Sequence, residues 1–194
     1  MSTNFKNLLK SLKLALLPLM LLVFVGCSTN GGGMGPGDDT ETPDPQPEIQ
    51  TPVSLIVQKI TVTAFPSDKT NGDDWDWDPI FKEQRRPDIY VNLGEKNKDA
   101  DYRSVTKKNA KSSNDYNLSS KSSKSNKSLP YTMKYKDAYS FSLYDDDQLL
   151  KNDYMGGKTI YTSDLYRNDN ATSFTTTISC SNGVKIKIQG VWTY

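Results

Sequence analysis

Apolar residues in this chain alternate with polar ones, and the three-and-four spacing of a helix is absent from the stretch that carries them. Val53, Leu55 and Val57 share one parity, whereas Ile60, Val62 and Ala64 share the other, which predicts a bulge near Gln58-Lys59. Ile89, Val91 and Leu93 form a second run, and Tyr139, Phe141 and Leu143 a third. Phe174, Thr176 and Ile178 lead into Asn182-Gly183, a residue pair suited to a tight hairpin, and Val184, Ile186 and Ile188 continue toward Trp192. A strand sends successive side chains to opposite faces, so each run buries one face and leaves the other in water. Several such strands joined by polar connections predict an all-β, antiparallel β-sandwich.

Not all of the 194 residues belong to that fold. Lys6, Lys10 and Lys13 precede an apolar run of 12 residues, Leu14 to Val25, which is too short to span a bilayer and suits the core of a signal peptide. The run ends in Phe24-Val25-Gly26-Cys27-Ser28. A small residue before a Cys at this position resembles the bacterial lipobox, although Phe24 stands where Leu is usual. By that resemblance residues 1–27 are a lipoprotein signal and lipobox, Cys27 is the lipidated residue, and the mature protein is anchored in a bacterial cell envelope. Ser28, unlike Asp, gives no signal for inner-membrane retention, so the outer membrane is expected. Residues 28–52 carry five Gly, five Pro, five acidic residues and no Lys or Arg. Such a segment buries too little apolar area to offset its ordering entropy, and is expected to be an acidic, disordered tether. Acidic residues begin only at Asp38, later than in the surface-export signals of Bacteroidota lipoproteins, so the leaflet is not encoded.

The remaining stretch, 53–194, is long enough for one domain with a sizeable core. A formal net charge of +1 argues against generic nucleic-acid binding. The chain has no histidine, which removes the usual triads, zinc sites and general bases, and no catalysis is expected. With Cys27 assigned to lipid, Cys180 lacks a disulfide partner and reads as a buried, inert thiol in phase with Phe174 and Ile178. Between Arg103 and Ser128 lie seven basic residues, one acid and nine serines. Its low-complexity part, Ser119 to Ser128, reads as a mobile loop and the segment as a solvated insertion, with an anion-attracting patch as the sharper alternative.

Two acidic clusters remain. Tyr144-Asp145-Asp146-Asp147 runs on to Asp153-Tyr154-Met155-Gly156, directly after the Tyr139–Leu143 strand. Asn71-Gly72-Asp73-Asp74-Trp75-Asp76-Trp77-Asp78 lies in the loop after the first strand, and Asp88 stands at the mouth of the second. Carboxylates so close together repel unless solvent or a cation screens them, and a set of oxygen ligands suits a hard cation such as Ca²⁺. The bland alternative is that Asp caps turns through its own side chain. Trp75 and Trp77 read either as exposed anchors for a membrane or sugar, or as covers over the end of the sandwich.

The strand followed by Asp-x-Asp-x5-Asp-Tyr-Met-Gly, together with Pro87-Asp88-Ile89-Tyr90-Val91, resembles the C2 domain, an eight-stranded calcium-binding β-sandwich. The family commonly has Asp-Pro where this chain has Pro87-Asp88, and the first loop here is longer. By resemblance Asp88, Asp145, Asp147 and Asp153 are calcium ligands. Asp74, Asp76 and Asp78 compete for the remaining first-loop role, with Asp76 and Asp78 favoured. The implied function is a calcium-dependent interaction at a membrane or cell surface, with anionic lipid, lipopolysaccharide or glycan as partner. A carbohydrate-binding or structural envelope module, with calcium structural or absent, is the alternative.

Overall fold

The computed structural model describes residues 48–76, 85–147 and 151–194, all within one compact unit, Gln46–Tyr194. The expectations for the signal segment and Cys27, for the tether up to residue 47, and for Trp77 and Asp78 lie outside the described residues.

The described residues form nine strands in an all-antiparallel sandwich. They are β1 (Ser54–Ala64), β2 (Ile89–Glu95), β3 (Tyr102–Arg103), β4 (Tyr116–Asn117), β5 (Tyr131–Lys134), β6 (Ala138–Asp145), β7 (Asp153–Tyr161), β8 (Ser173–Ser179) and β9 (Lys185–Thr193). One sheet has the order β4-β1-β9-β8, with β5 pairing the other half of the β1 edge. The second has the order β3-β2-β6-β7. The count exceeds eight because two-residue strands, β3 and β4, form around and within the Ser/Lys-rich segment.

The alternation carries directly into the core. Leu55, Val57, Ile60, Val62, Ile186 and Ile188 of the first sheet meet Ile89, Val91, Leu93, Tyr139, Phe141 and Leu143 of the second in one buried cluster. Full burial of each such aliphatic or aromatic side chain contributes roughly 1.5–3 kcal/mol. The parity change in β1 has the expected cause. Val57 pairs with Gly190 and Lys59 with Gln189, which leaves Gln58 as the bulged residue. Gly190 is required there, because a Cβ would come within 2.1 Å of the Ile56 carbonyl oxygen. Val53 departs from the pattern. It precedes the strand and is exposed. At the β8–β9 turn, Asn182 and Gly183 both take positive φ (55° and 74°), the backbone that this pair adopts most readily.

The segment 103–128 differs from the expected loose insertion. Backbone bridges join Ser104 to Lys121 and Ile89 to Lys107. The Ser125 hydroxyl is buried, donating to the Lys127 carbonyl at 2.6 Å, with the Asp101 carbonyl 3.2 Å away, and accepting the Arg103 N–H. Leu118 and Ala110 enter the core. Sparse apolar residues suffice because polar side chains satisfy the backbone.

Candidate metal centre

Strand register brings the two acidic loops to one end of the sandwich. Ile89 opens β2 opposite Asp145, the last residue of β6, and Asp145 in turn stands opposite Asp153, the first residue of β7. The β1–β2 and β6–β7 connections therefore meet there. Within the Asp145–Asp147 run, parity decides the roles. Asp145 continues the inward series Tyr139, Phe141, Leu143, and it is 0% exposed. Asp146 continues the outward series.

One carboxylate oxygen from each of Asp76, Asp145 and Asp147 lies within 4.8 Å of the others. Asp145 Oδ1 accepts the Asp88 N–H at 2.7 Å, but its Oδ2 is buried with no hydrogen-bond partner among the described residues. Burial, against the pull of the Asp88 N–H and with the charges of Asp76, Asp147 and Asp88 added, pushes the Asp145 carboxyl up to about 7. Burial, with Asp88 and Asp147, raises Asp76 to about 6, and burial together with Asp153 raises Asp147. All three shifts record the same fact: negative charge is concentrated where water is scarce.

The other described acidic residues of these loops have partners of their own. Asp146 bonds the Arg103 guanidinium at 2.9 Å and the Thr106 hydroxyl at 2.6 Å, and that guanidinium sits 3.5 Å from the centre of the Tyr90 ring. Burial would raise the Asp146 carboxyl, yet Thr106 and Arg103 together hold it below the usual range. Asp88 accepts the Asn109 N–H at 2.8 Å through Oδ1, standing at the edge of the cluster. Asp153 is ion-paired to Lys69 at 2.6 Å. Asp73 bonds Asn71 and Asp74 pairs with Arg85, so both turn away from the cluster. Of the first-loop candidates, Asp76 is the described one that enters it, while Asp78 lies outside the described residues. Trp75 is 6% exposed and donates its indole N–H to the Pro66 carbonyl, which makes it a cover and removes it as a sugar-stacking platform.

The donor set fits a hard divalent cation. Two oxygens bound to one Ca²⁺ at its usual bond length are separated by at most about 5 Å, so three oxygens within 4.8 Å of one another are compatible with a shared ion. The three donors are carboxylates, with neither thiolate nor imidazole among them, which favours Ca²⁺ or Mg²⁺ over zinc or copper. The unpartnered Asp145 Oδ2 is the kind of atom that such an ion would satisfy.

No family model and no curated protein matches the chain. Among solved structures it is similar to one described as a C2 domain, with 9% identity over 73% of this chain and 99% of the other and a TM-score of 0.44. It is also similar to human GIVD cytosolic phospholipase A2 in complex with an inhibitor and terbium chloride, with 14% identity, 75% of this chain, 18% of that one and a TM-score of 0.46. A third is a calcium-bound pair of domains from extended synaptotagmin 2, with 15% identity, 73% of this chain, 47% of that one and a TM-score of 0.39. The sandwich itself stands on the strand register.

Two residues of the site were not foreseen from sequence. Arg103 stands 43 positions from Asp146, and only the β2–β3 pairing brings it near. Lys69 had no motif, since a lysine in a polar loop is ordinarily a solvated charge. The outward parity of Asp146 was the one available signal that it differs from its neighbours.

Proposed function

We propose that this is a lipid-anchored protein of a bacterial cell envelope whose β-sandwich binds Ca²⁺ through Asp76, Asp145 and Asp147, and uses that end to engage an anionic surface. The observation that carries the cation reading is Asp145, fully buried among like charges with one oxygen unpaired among the described residues. Leaving such a group uncompensated is costly, and in structural positions it is normally paired, as Asp146 is. Asp88 positions the cluster by donating its N–H to Asp145 Oδ1, and its carbonyl accepts the Asp146 N–H at 2.8 Å, which locks the two loops together. A bound cation supplies neutralisation of the cluster and open coordination positions for phosphate or carboxylate oxygens.

The anionic partner is supported by a second observation. Asn109 N–H binds Asp88 Oδ1, and Ala110 N–H binds the Pro87 carbonyl, so the segment carrying the exposed Lys107, Lys108 and Lys111 is fastened beside the carboxylate end. Lysines arranged near a surface attract anionic headgroups by about 1 kcal/mol each. The role is binding, with no catalytic step.

Calcium titration of the purified protein, followed by calorimetry and thermal melting, tests the reading. At about a hundredfold excess over Kd, stabilisation of about 2.7 kcal/mol is expected, a rise of roughly 5–10 °C in Tm for a domain of this size. An unchanged Tm at ~10 mM Ca²⁺, well above the range of extracellular calcium modules, would refute the site. Co-sedimentation with phosphatidylserine vesicles that depends on Ca²⁺, against none with phosphatidylcholine vesicles, is expected for the surface role. Equal recovery with both would refute an anionic partner.

A further inference from the structure

Lys69 is placed with unusual care for a loop lysine. Its backbone N–H donates to the Asp73 carbonyl and its own carbonyl accepts the Gly72 N–H, both at 2.8 Å, with Gly72 at a φ of 86°. These two bonds close a tight turn just before Asp76. The side chain then runs along Trp75, with Nζ 5.8 Å from the ring centroid, and ends 2.6 Å from Asp153 Oδ2. Trp75 is itself fixed by its bond to the Pro66 carbonyl. The lysine side chain is 30% exposed, and its ammonium lies near enough to Asp76, Asp145 and Asp147 to bias the charge of each. A further cation of this end, Arg103, faces Asp146, outside the cluster.

We infer that Lys69 is a tethered counter-ion of the carboxylate cluster that withholds Asp153 from ligation and sets the affinity of the cluster for a divalent ion. The inference rests on the cation reading above and adds to it the residue that tunes the site. Two physical effects drive it. A fixed positive charge within a few ångströms repels an incoming dication, and in a poorly hydrated site that repulsion is weakly screened. A carboxylate already committed to an ammonium offers less to a metal, and divalent affinity in oxygen-ligand sites follows the count of available charged ligands. At the same time the lysine neutralises part of the cluster, which lets the sandwich end close without metal.

The test compares the wild-type protein with Lys69→Met, which keeps the stem along Trp75 and removes the charge, and with Lys69→Arg, which keeps the charge. Calorimetric titration with CaCl₂ reads stoichiometry and affinity, and melting without metal reads the counter-ion role. Wild type is expected to bind one Ca²⁺ per chain. Lys69→Met is expected to melt lower without metal and to bind Ca²⁺ about tenfold or more tightly, since Asp153 is released and a repelling charge is gone. Lys69→Arg should stay within about threefold of wild type, in keeping with its retained charge. A wild-type response together with unchanged or weakened affinity in Lys69→Met overturns this inference alone. Silence of both proteins at ~10 mM Ca²⁺ overturns the cation reading and this inference with it. If Lys69→Met does not fold, Lys69→Gln serves with the same expected outcomes.

Discussion

Asp145 and Asp146 are chain neighbours of the same chemistry, yet they live in opposite electrostatic worlds. Asp146 faces outward, where Arg103 and Thr106 satisfy both of its oxygens and Tyr90 backs the guanidinium. Asp145 faces inward, where one described backbone N–H serves it, its second oxygen has no partner among the described residues, and the carboxylates of Asp76, Asp147 and Asp88 crowd its charge. The first arrangement is what a protein does with an acid that serves its own stability. The second leaves an unmet demand at a loop end, which is how stability is traded for a binding site. Strand pleating alone separates the two, by sending successive side chains to opposite faces.

The contrast is open to direct attack. The largest effect belongs to Asp145→Asn, which keeps an acceptor for the Asp88 N–H and removes the buried charge. Calcium affinity should fall about a hundredfold, in keeping with the dependence of such sites on ligand charge, while the metal-free Tm at pH ~7.5 rises. A variant that melts lower without metal would show that Asp145 is structural after all. Next in size, Asp146→Ala should destabilise by about 1.5–3 kcal/mol in urea unfolding, the range for hydrogen bonds to charged groups, with calcium affinity within about threefold of wild type. A joint loss of metal response would merge the two roles.

A smaller effect is the pH dependence. Asp145 at about 7 and Asp76 at about 6 lie above the ordinary carboxylate value of 3.8, so between those limits the folded state holds more protons than the unfolded one. Metal-free stability therefore falls as pH rises from about 4 to about 7, whereas calcium affinity rises over the same interval as the protons leave. Melting curves at pH ~5 and pH ~7.5, with and without Ca²⁺, should show slopes of opposite sign. Parallel slopes would mean that these carboxylates are not the ligands. The smallest effect is a control at the β8–β9 turn. Gly183→Ala, at a φ of 74°, should cost about 1 kcal/mol and leave calcium titration unchanged.

Much of the fold was legible because a strand's period of two is a local property. The alternating runs, the bulge at Gln58 and the Asn182-Gly183 turn each follow from a few consecutive residues and reappear in the sandwich. The Ser/Lys-rich segment was misjudged for the converse reason: its order comes from hydrogen bonds between Ser125 and Asp101, Lys127 and Arg103, which composition does not reveal. Trp75 was ambiguous until the Pro66 carbonyl settled the direction of its indole.

For the candidate site the division is similar. The order of residues alone dictated that carboxylates would gather in two loops beside strand ends, that no histidine would join them, and, through parity, that Asp145 would point inward. Three-dimensional packing selected which of those carboxylates meet. Register placed Asp145 opposite Ile89 and Asp153, Arg103 claimed Asp146, and Lys69 claimed Asp153, leaving Asp76, Asp145 and Asp147 together. The physical reason is range. Side-chain direction along a strand is fixed by the next peptide unit, whereas charge compensation depends on which distant groups arrive within a few ångströms.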